Sequence, residues 1–232
     1  MPVPSLDDMA GIPLWGNYLD VRLTEAVLGL IPGQVAAVGV RVGDTAAELN
    51  FQVFVEDAVV LEFTEVVVAR FRDSVGPGVA VTVRREAVER VMLGARRDVR
   101  WVYGAHIDHP LPPASTPARV EAVVPRRSFP TPADVDREPV WEHYVTVQIT
   151  RASLRCIAPE VAAIGFRLRL SRVELVFQVF AVNAVVDEDL ADIEGEVDTW
   201  VRNGVDVVAE REIVSEPRLG REGVKWTYVA RR

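Results

Sequence analysis

The chain has 232 residues, 49% hydrophobic and 26% charged, with 15 Gly and 15 Pro, a composition that excludes disordered and collagen-like classes. A net charge of −8 argues against delocalised binding to nucleic acid or to an anionic membrane. No apolar run reaches the roughly 20 residues that span a bilayer, the N-terminus lacks the pattern of a secretory signal, and the single cysteine, Cys156, fits a cytoplasmic setting.

The sequence repeats itself. Phe51-Gln52-Val53-Phe54 recurs as Phe177-Gln178-Val179-Phe180, an offset of 126 residues. The same offset pairs Trp15 with Trp141, Tyr18 with Tyr144, and Val35-Ala36-Ala37 with Val161-Ala162-Ala163. From Pro13 to Val60, against Pro139 to Val186, 22 of 48 positions are identical without a gap. Trp101 and Tyr103 pair with Trp226 and Tyr228 at an offset of 125, so the second copy has lost one residue. The period is too long for a solenoid, and each copy is expected to be a small domain. Between the copies stand Pro110, Pro112, Pro113, Pro117, Pro125 and Pro130, which keep a chain extended and block helix. The expected organisation is a first unit at 1–107, a proline-rich linker at 108–130 and a second unit at 131–232. Residues 1–108 carry a charge of −5 and residues 109–232 a charge of −3, so neither half is a basic module.

Taken in chain order, each unit opens with a helical stripe: Trp15, Leu19, Leu23, Val27 and Leu30, then Trp141, Val145, Ile149, Ser153 and Cys156. Pro32-Gly33 is the expected end of the first helix. In the second copy, Tyr144 to Thr150 is rich in β-branched residues and competes as a strand, but the shared stripe favours helix. A hairpin follows, Val35–Val42 with Ala47–Val55 around Gly43-Asp44, and Val161–Leu168 with Val173–Val182 around Arg169 to Arg172. The second helix of copy two shows the stripe Val186, Leu190, Ile193, Val197 and Trp200. Its copy-one counterpart carries Val59, Phe63, Val66, Val67 and Phe71, with Leu61 and Val68 on another face. Those two residues imply either a helix covered on two sides or partly exposed aliphatics. Gly76-Pro77-Gly78 and Asn203-Gly204 close these helices. Strands at Val79–Val83 and Arg100–Ala105, and at Val205–Glu210 and Lys225–Ala230, complete the units. The expected fold class is α+β: two tandem α-β-β-α-β-β units, each a mostly antiparallel four-stranded sheet with helices on one face, forming a pseudo-dimer. The units are expected to dock edge to edge or through their helices.

Signatures of catalysis are lacking. No phosphate-binding glycine loop, nucleophile elbow or zinc-protease motif occurs. His106-x-x-His109 with Asp108 offers too few ligands for a metal site, and His143 reads as a partly exposed helix residue. Cys156, on an apolar stripe, reads as a buried structural thiol. Glu86 and Glu212 correspond but are expected beyond a strand end, in solvent. The shared aromatics read as core, while Gln52 and Gln178 are candidates for hydrogen bonds across a domain interface. No cofactor, metal or catalytic residue is assigned. Whether the chain is an enzyme stays open, with the balance towards not.

Charge gives the sharper candidates. From Asp187 to Asp198 there are seven carboxylates in twelve residues, which serve either as a solvated face or as a docking surface for a basic protein. Asp187, Glu188, Asp189, Asp192 and Glu196 are the expected partner-binding residues. Arg84, Arg85, Arg90, Arg96, Arg97 and Arg100 form an opposing cluster suited to an acidic partner, or to the acidic helix of another copy in a homo-oligomer.

A short helix, a hairpin ending in Phe-Gln-Val-Phe, an acidic helix and a final strand of the form Trp226-Thr227-Tyr228-Val229-Ala230-Arg231 resemble a group of small bacterial proteins similar to immunity-type proteins of toxin systems. The acidic helix survives in copy two alone. The resemblance implies a non-enzymatic inhibitor of a basic protein and carries no catalytic residues. The alternative is a small-molecule binder or enzyme with a pocket between the two pseudo-symmetric units.

Overall fold

The computed structural model describes residues 12–43, 45–105, 138–154, 156–169, 172–201 and 205–231. The linker expected at 108–130, with His106 and His109 near it, lies outside these. The first unit comprises α1 (Ile12–Val27), β1 (Val35–Val42), β2 (Ala46–Val53), α2 (Ala58–Val75), β3 (Ala80–Ala87) and β4 (Val99–Gly104). The second comprises α3 (Glu138–Ala152), β5 (Val161–Arg169), β6 (Arg172–Val179), α4 (Ala184–Val201), β7 (Asp206–Ile213) and β8 (Lys225–Val229). The fold is α+β, and its two units have the same topology.

In the sheets the strand orders are β3-β2-β1-β4 and β7-β6-β5-β8. The hairpin strands pair antiparallel, as do β1 with β4 and β5 with β8. By contrast β3 runs parallel to β2, and β7 to β6. The reason is the crossover: α2 and α4 carry the chain back before the next strand, as a parallel connection requires. The two closing strands of each unit therefore occupy opposite edges of the sheet.

Both helices of a unit pack on one sheet face. Leu19, Leu23 and Val27 of α1 and Val60, Phe63, Val67 and Phe71 of α2 enclose Val38, Val40, Leu49, Phe51 and Val53. The second core repeats this with Val145, Ile149, Val186, Leu190, Ile193, Val197, Ile164, Phe166, Leu175 and Phe177. On the other face Trp101 lies over Gly39 and Trp226 over Gly165. A Cβ at either glycine would stand 2.8 or 2.7 Å from the indole Cε3, so both copies need glycine there.

The units meet through their first helices, α1 against α3, with β4 and β8 alongside. Leu28 packs on the outer cluster of the second sheet, and Leu154 on that of the first, a reciprocal exchange. This contact explains why Tyr144 to Thr150 is helical despite its β-branched content. Val145, Thr146, Val147, Gln148 and Ile149 are all buried, so the stretch is covered on more than one face and packing overrides propensity.

Several sequence expectations need correction. Helix α1 ends at Val27, before Pro32-Gly33, and Gly29 takes the left-handed conformation there (φ 71°). The buried stripe of α2 is Val60, Phe63, Thr64, Val67, Val68, Phe71 and Val75, whereas Val59, Leu61 and Val66 are exposed. Helix α2 is therefore covered on one side. In α4, Val201 takes the inward place expected of Trp200.

Candidate protein-binding face

Helix α4 starts at a capped end: the Asn183 side-chain oxygen accepts from the Val186 amide at 2.9 Å. Val186, Leu190, Ile193, Val197 and Val201 turn inward. On the outside, Glu188, Asp192, Glu196 and Trp200 follow one another at a spacing of four, which stacks them in one row along the helix. All four are exposed, Trp200 to 56%. The Tyr144 hydroxyl donates to the Trp200 carbonyl at 2.7 Å, fixing the backbone of the last turn against α3.

This row is unfavourable for the helix that carries it. Glu188–Asp192 and Asp192–Glu196 are like-charged pairs one turn apart, each costing about 0.2–0.5 kcal/mol. Glu196 and Asp198 also place negative charge near the C-terminal end, against the helix dipole. Among the described residues no ion pair neutralises Glu188, Asp192 or Glu196. Asp187 sits on the other flank, bonded to Arg211 of β7. Asp189 departs from the expected exposed set: it is 8% exposed, on the inward side beside Leu190, and so does not belong to a docking face. The matching positions of α2 are Glu62, Val66, Arg70 and Ser74, so the first unit has no such row.

The arginine segment does not stay together. Arg85 pairs with Glu56 at 3.2 Å, Arg96 with Glu86 at 2.7 Å, and Arg100 with Asp20 at 2.6 Å, while Arg84, Arg90 and Arg97 remain exposed. Glu86 and Glu212 lie inside β3 and β7, not beyond them, and Glu212 is held by Arg218 and Arg221. Gln52 and Gln178 act within their own units. Gln52 donates to the Met92 carbonyl (3.2 Å) and accepts from the Met92 amide (2.8 Å). Gln178 does the same with Arg218 (3.1 and 2.8 Å). Each thus anchors the loop after the parallel edge strand over its tryptophan.

At the pseudo-twofold axis the Tyr103 and Tyr228 rings stack, and burial raises both hydroxyl pKa values, that of Tyr228 to about 12. A crevice beside them is lined from both units by Val27, Ile31, Thr150, Ser153 and Ile157. It encloses about 10 Å³, the space of one water. In the first unit, Arg100 reaches both carboxylate oxygens of Asp20 and the Asn17 side-chain oxygen. Burial lifts the Asp20 carboxyl above its ordinary value, and Arg100 and Arg151 oppose that rise. On the second-unit side Lys225 bonds Glu142 and approaches Glu25 at 3.5 Å. His143 packs near the Tyr18 ring, and burial, helped by Lys225 and Arg22, lowers its pKa to about 4. Cys156 is half-buried against the second core.

Among the described residues no group of three metal-ligating side chains comes together. Likewise no described helix is long and apolar enough to cross a membrane. Of the features that matter at the α4 face, sequence reading missed the outward Trp200, although its spacing of four from Glu196 was a signal. No family model, curated protein or solved structure matches the chain.

Proposed function

We propose that this chain is a non-enzymatic, cytoplasmic protein-binding module that docks a basic partner on the α4 face of its second unit. The observation that carries the reading is the row Glu188, Asp192, Glu196, Trp200. Its carboxylates are uncompensated, they repel one another along the helix that holds them, and α2 keeps only Glu62 of the row. An exposed tryptophan beside fixed charge supports the same reading, because aromatic anchors dominate binding energy while charge steers encounter. An immunity-type inhibitor is the form of this role that the sequence resemblance favours. Self-association is a second form, since another copy offers Arg84, Arg90 and Arg97 as exposed cations. A ligand pocket between the units has less support, because the crevice there would have to widen beyond one water.

The test is capture from the native cytoplasm with the wild-type chain and with a Glu188→Lys, Asp192→Lys, Glu196→Lys variant. Loss of a basic protein from the variant, with Glu62→Lys and Glu65→Lys in the first unit leaving it bound, is the expected result. Retention of the same partner by the α4 variant overturns the proposal. Light scattering across a concentration series separates a foreign partner from a second copy.

A further inference from the structure

Each sheet ends on a parallel strand, β3 or β7, whose outer edge no described strand covers. On β3 the Ala80 amide donates to the Thr45 carbonyl (2.9 Å) and the Val88 amide to the Val53 carbonyl (2.8 Å). Backbone groups alternate in direction along a strand, and the β2–β3 register has no bulge. The even-numbered residues of β3 therefore bond β2, while Val81, Val83 and Arg85 aim amide and carbonyl outward. The Arg72 guanidinium, which reaches the Val81 carbonyl at 3.2 Å, fits that assignment. The side chains of these same residues lie on the helix side: Val81 packs on the first core, and Val83 and Arg85 face α2.

Between α2 and β3 lies an open cleft of about 590 Å³. Val68, Ala69 and the 40%-exposed Val83 make its apolar part. At one end Arg85 is paired with Glu56, and at the other stands Arg72. The second unit does not repeat this site. Where the first has Leu61, Val68, Arg72 and Arg84, the second has Asp187, Glu194, Asp198 and Glu210. Asp187 bridges α4 to Arg211 of β7, and Glu210 is held by Arg167 and Arg221. The edge of β3 instead presents exposed cations on both faces, Arg72 on the helix side and Arg84 on the other.

We infer that the α2–β3 edge of the first unit takes an extended, acidic segment of a partner protein as an added strand. In antiparallel pairing the segment bonds the backbone of Val83 and Arg85. An apolar side chain opposite Val83 covers Val68 and Val83. A carboxylate opposite Val81 meets Arg72, and one opposite Arg84 pairs with it across the rung. Charge on an edge keeps unsuited strands from adding, so the same arginines decide which strand is accepted. This surface is separate from the α4 row and binds the opposite charge, so failure of either reading leaves the other standing.

The test titrates the full chain, to millimolar concentration, with the blocked peptide Thr-Val-Glu-Val-Thr-Glu-Thr and with its counterpart carrying Lys for both Glu. Amide exchange is read by NMR. The expected result is protection of the Val83 and Arg85 amides by the acidic peptide, with those of Ala209 and Arg211 unchanged. The acidic peptide is expected to bind about tenfold more tightly than the basic one. Arg72→Asp with Arg84→Glu, which gives two exposed positions the second unit's residues, is expected to reverse that preference. Absence of protection at Val83, or equal binding of the two peptides, overturns the inference. Protection at Val83 that arises without peptide as the chain is concentrated also overturns it, and assigns the edge to a second copy.

Discussion

Tyr103 and Tyr228 stack across the pseudo-twofold axis with ring centroids 6.4 Å apart and planes 6° from parallel. They are equivalent residues of the repeat, so the stack is a self-contact of one repeat position. Tyr103 packs against both cores, whereas Tyr228 packs against the second. Tyr103→Ala is therefore expected to cost about 3 kcal/mol and Tyr228→Ala less, with a coupling of about 0.5–1.5 kcal/mol between them. Urea unfolding of the two single variants and the double variant measures this.

Asp20 is the buried charge on which the first unit's side of the contact depends, its side chain 5% exposed. Asp20→Asn leaves Arg100 and Arg151 facing each other without a compensating anion. A loss of about 3 kcal/mol is expected, the range for breaking a buried pair. Gly16→Ala should cost less, because the atom it meets is the movable end of Arg100. Equilibrium unfolding at neutral pH compares them.

The two glutamines make a local prediction. Gln52→Leu leaves the Met92 amide unpaired, while the Met92 carbonyl keeps the Ala95 amide, and Gln178→Leu removes the side-chain partner of both the Arg218 amide and carbonyl, for about 1–2 kcal/mol each. Hydrogen exchange should quicken at Met92 in the first variant and at Arg218 in the second, each without effect on the other unit.

His143 sets a pH dependence. Its folded pKa of about 4 lies below the ordinary value of 6.5, so the unfolded chain binds the proton more readily. Its contribution to stability is complete above about pH 6.5 and is lost as pH falls towards 4. For a partly exposed ring, screening reduces this to about 1–2 kcal/mol. His143→Asn, which copies Asn17 of the first unit, should flatten the difference in unfolding midpoint between pH 7 and pH 4.5. An unchanged slope contradicts the assignment.

Much of this architecture is legible in the residues. The 126-residue offset, the hairpins and the helical reading of Tyr144 to Thr150 all follow from comparing the copies, because a repeat exposes positions that a single sequence hides. What stayed hidden depends on packing. A stripe at spacing three to four fits Trp200 or Val201 equally, and the structure buries Val201 and leaves Trp200 exposed, with Tyr144 holding the Trp200 carbonyl as Tyr18 holds that of Ser74. Asp189 looks exposed in an acidic run but lies on the inward side. Gln52 and Gln178 read as polar interruptions of a strand, yet their partners stand 40 residues downstream. The arginine cluster looks continuous along the chain and is divided among carboxylates from the β2–α2 segment, β3 and α1.

The central claim, that the α4 row is where a partner sits, is tested most directly by site-specific photocrosslinking in the native cell. A photoreactive residue is placed at position 192 of α4 or, as control, at the matching position 66 of α2. The account predicts a discrete adduct from position 192, none from 66, and loss of the adduct when Glu188 and Glu196 are changed to Lys. Equal adducts from both positions, or an adduct at 192 unaffected by the charge reversal, contradict it.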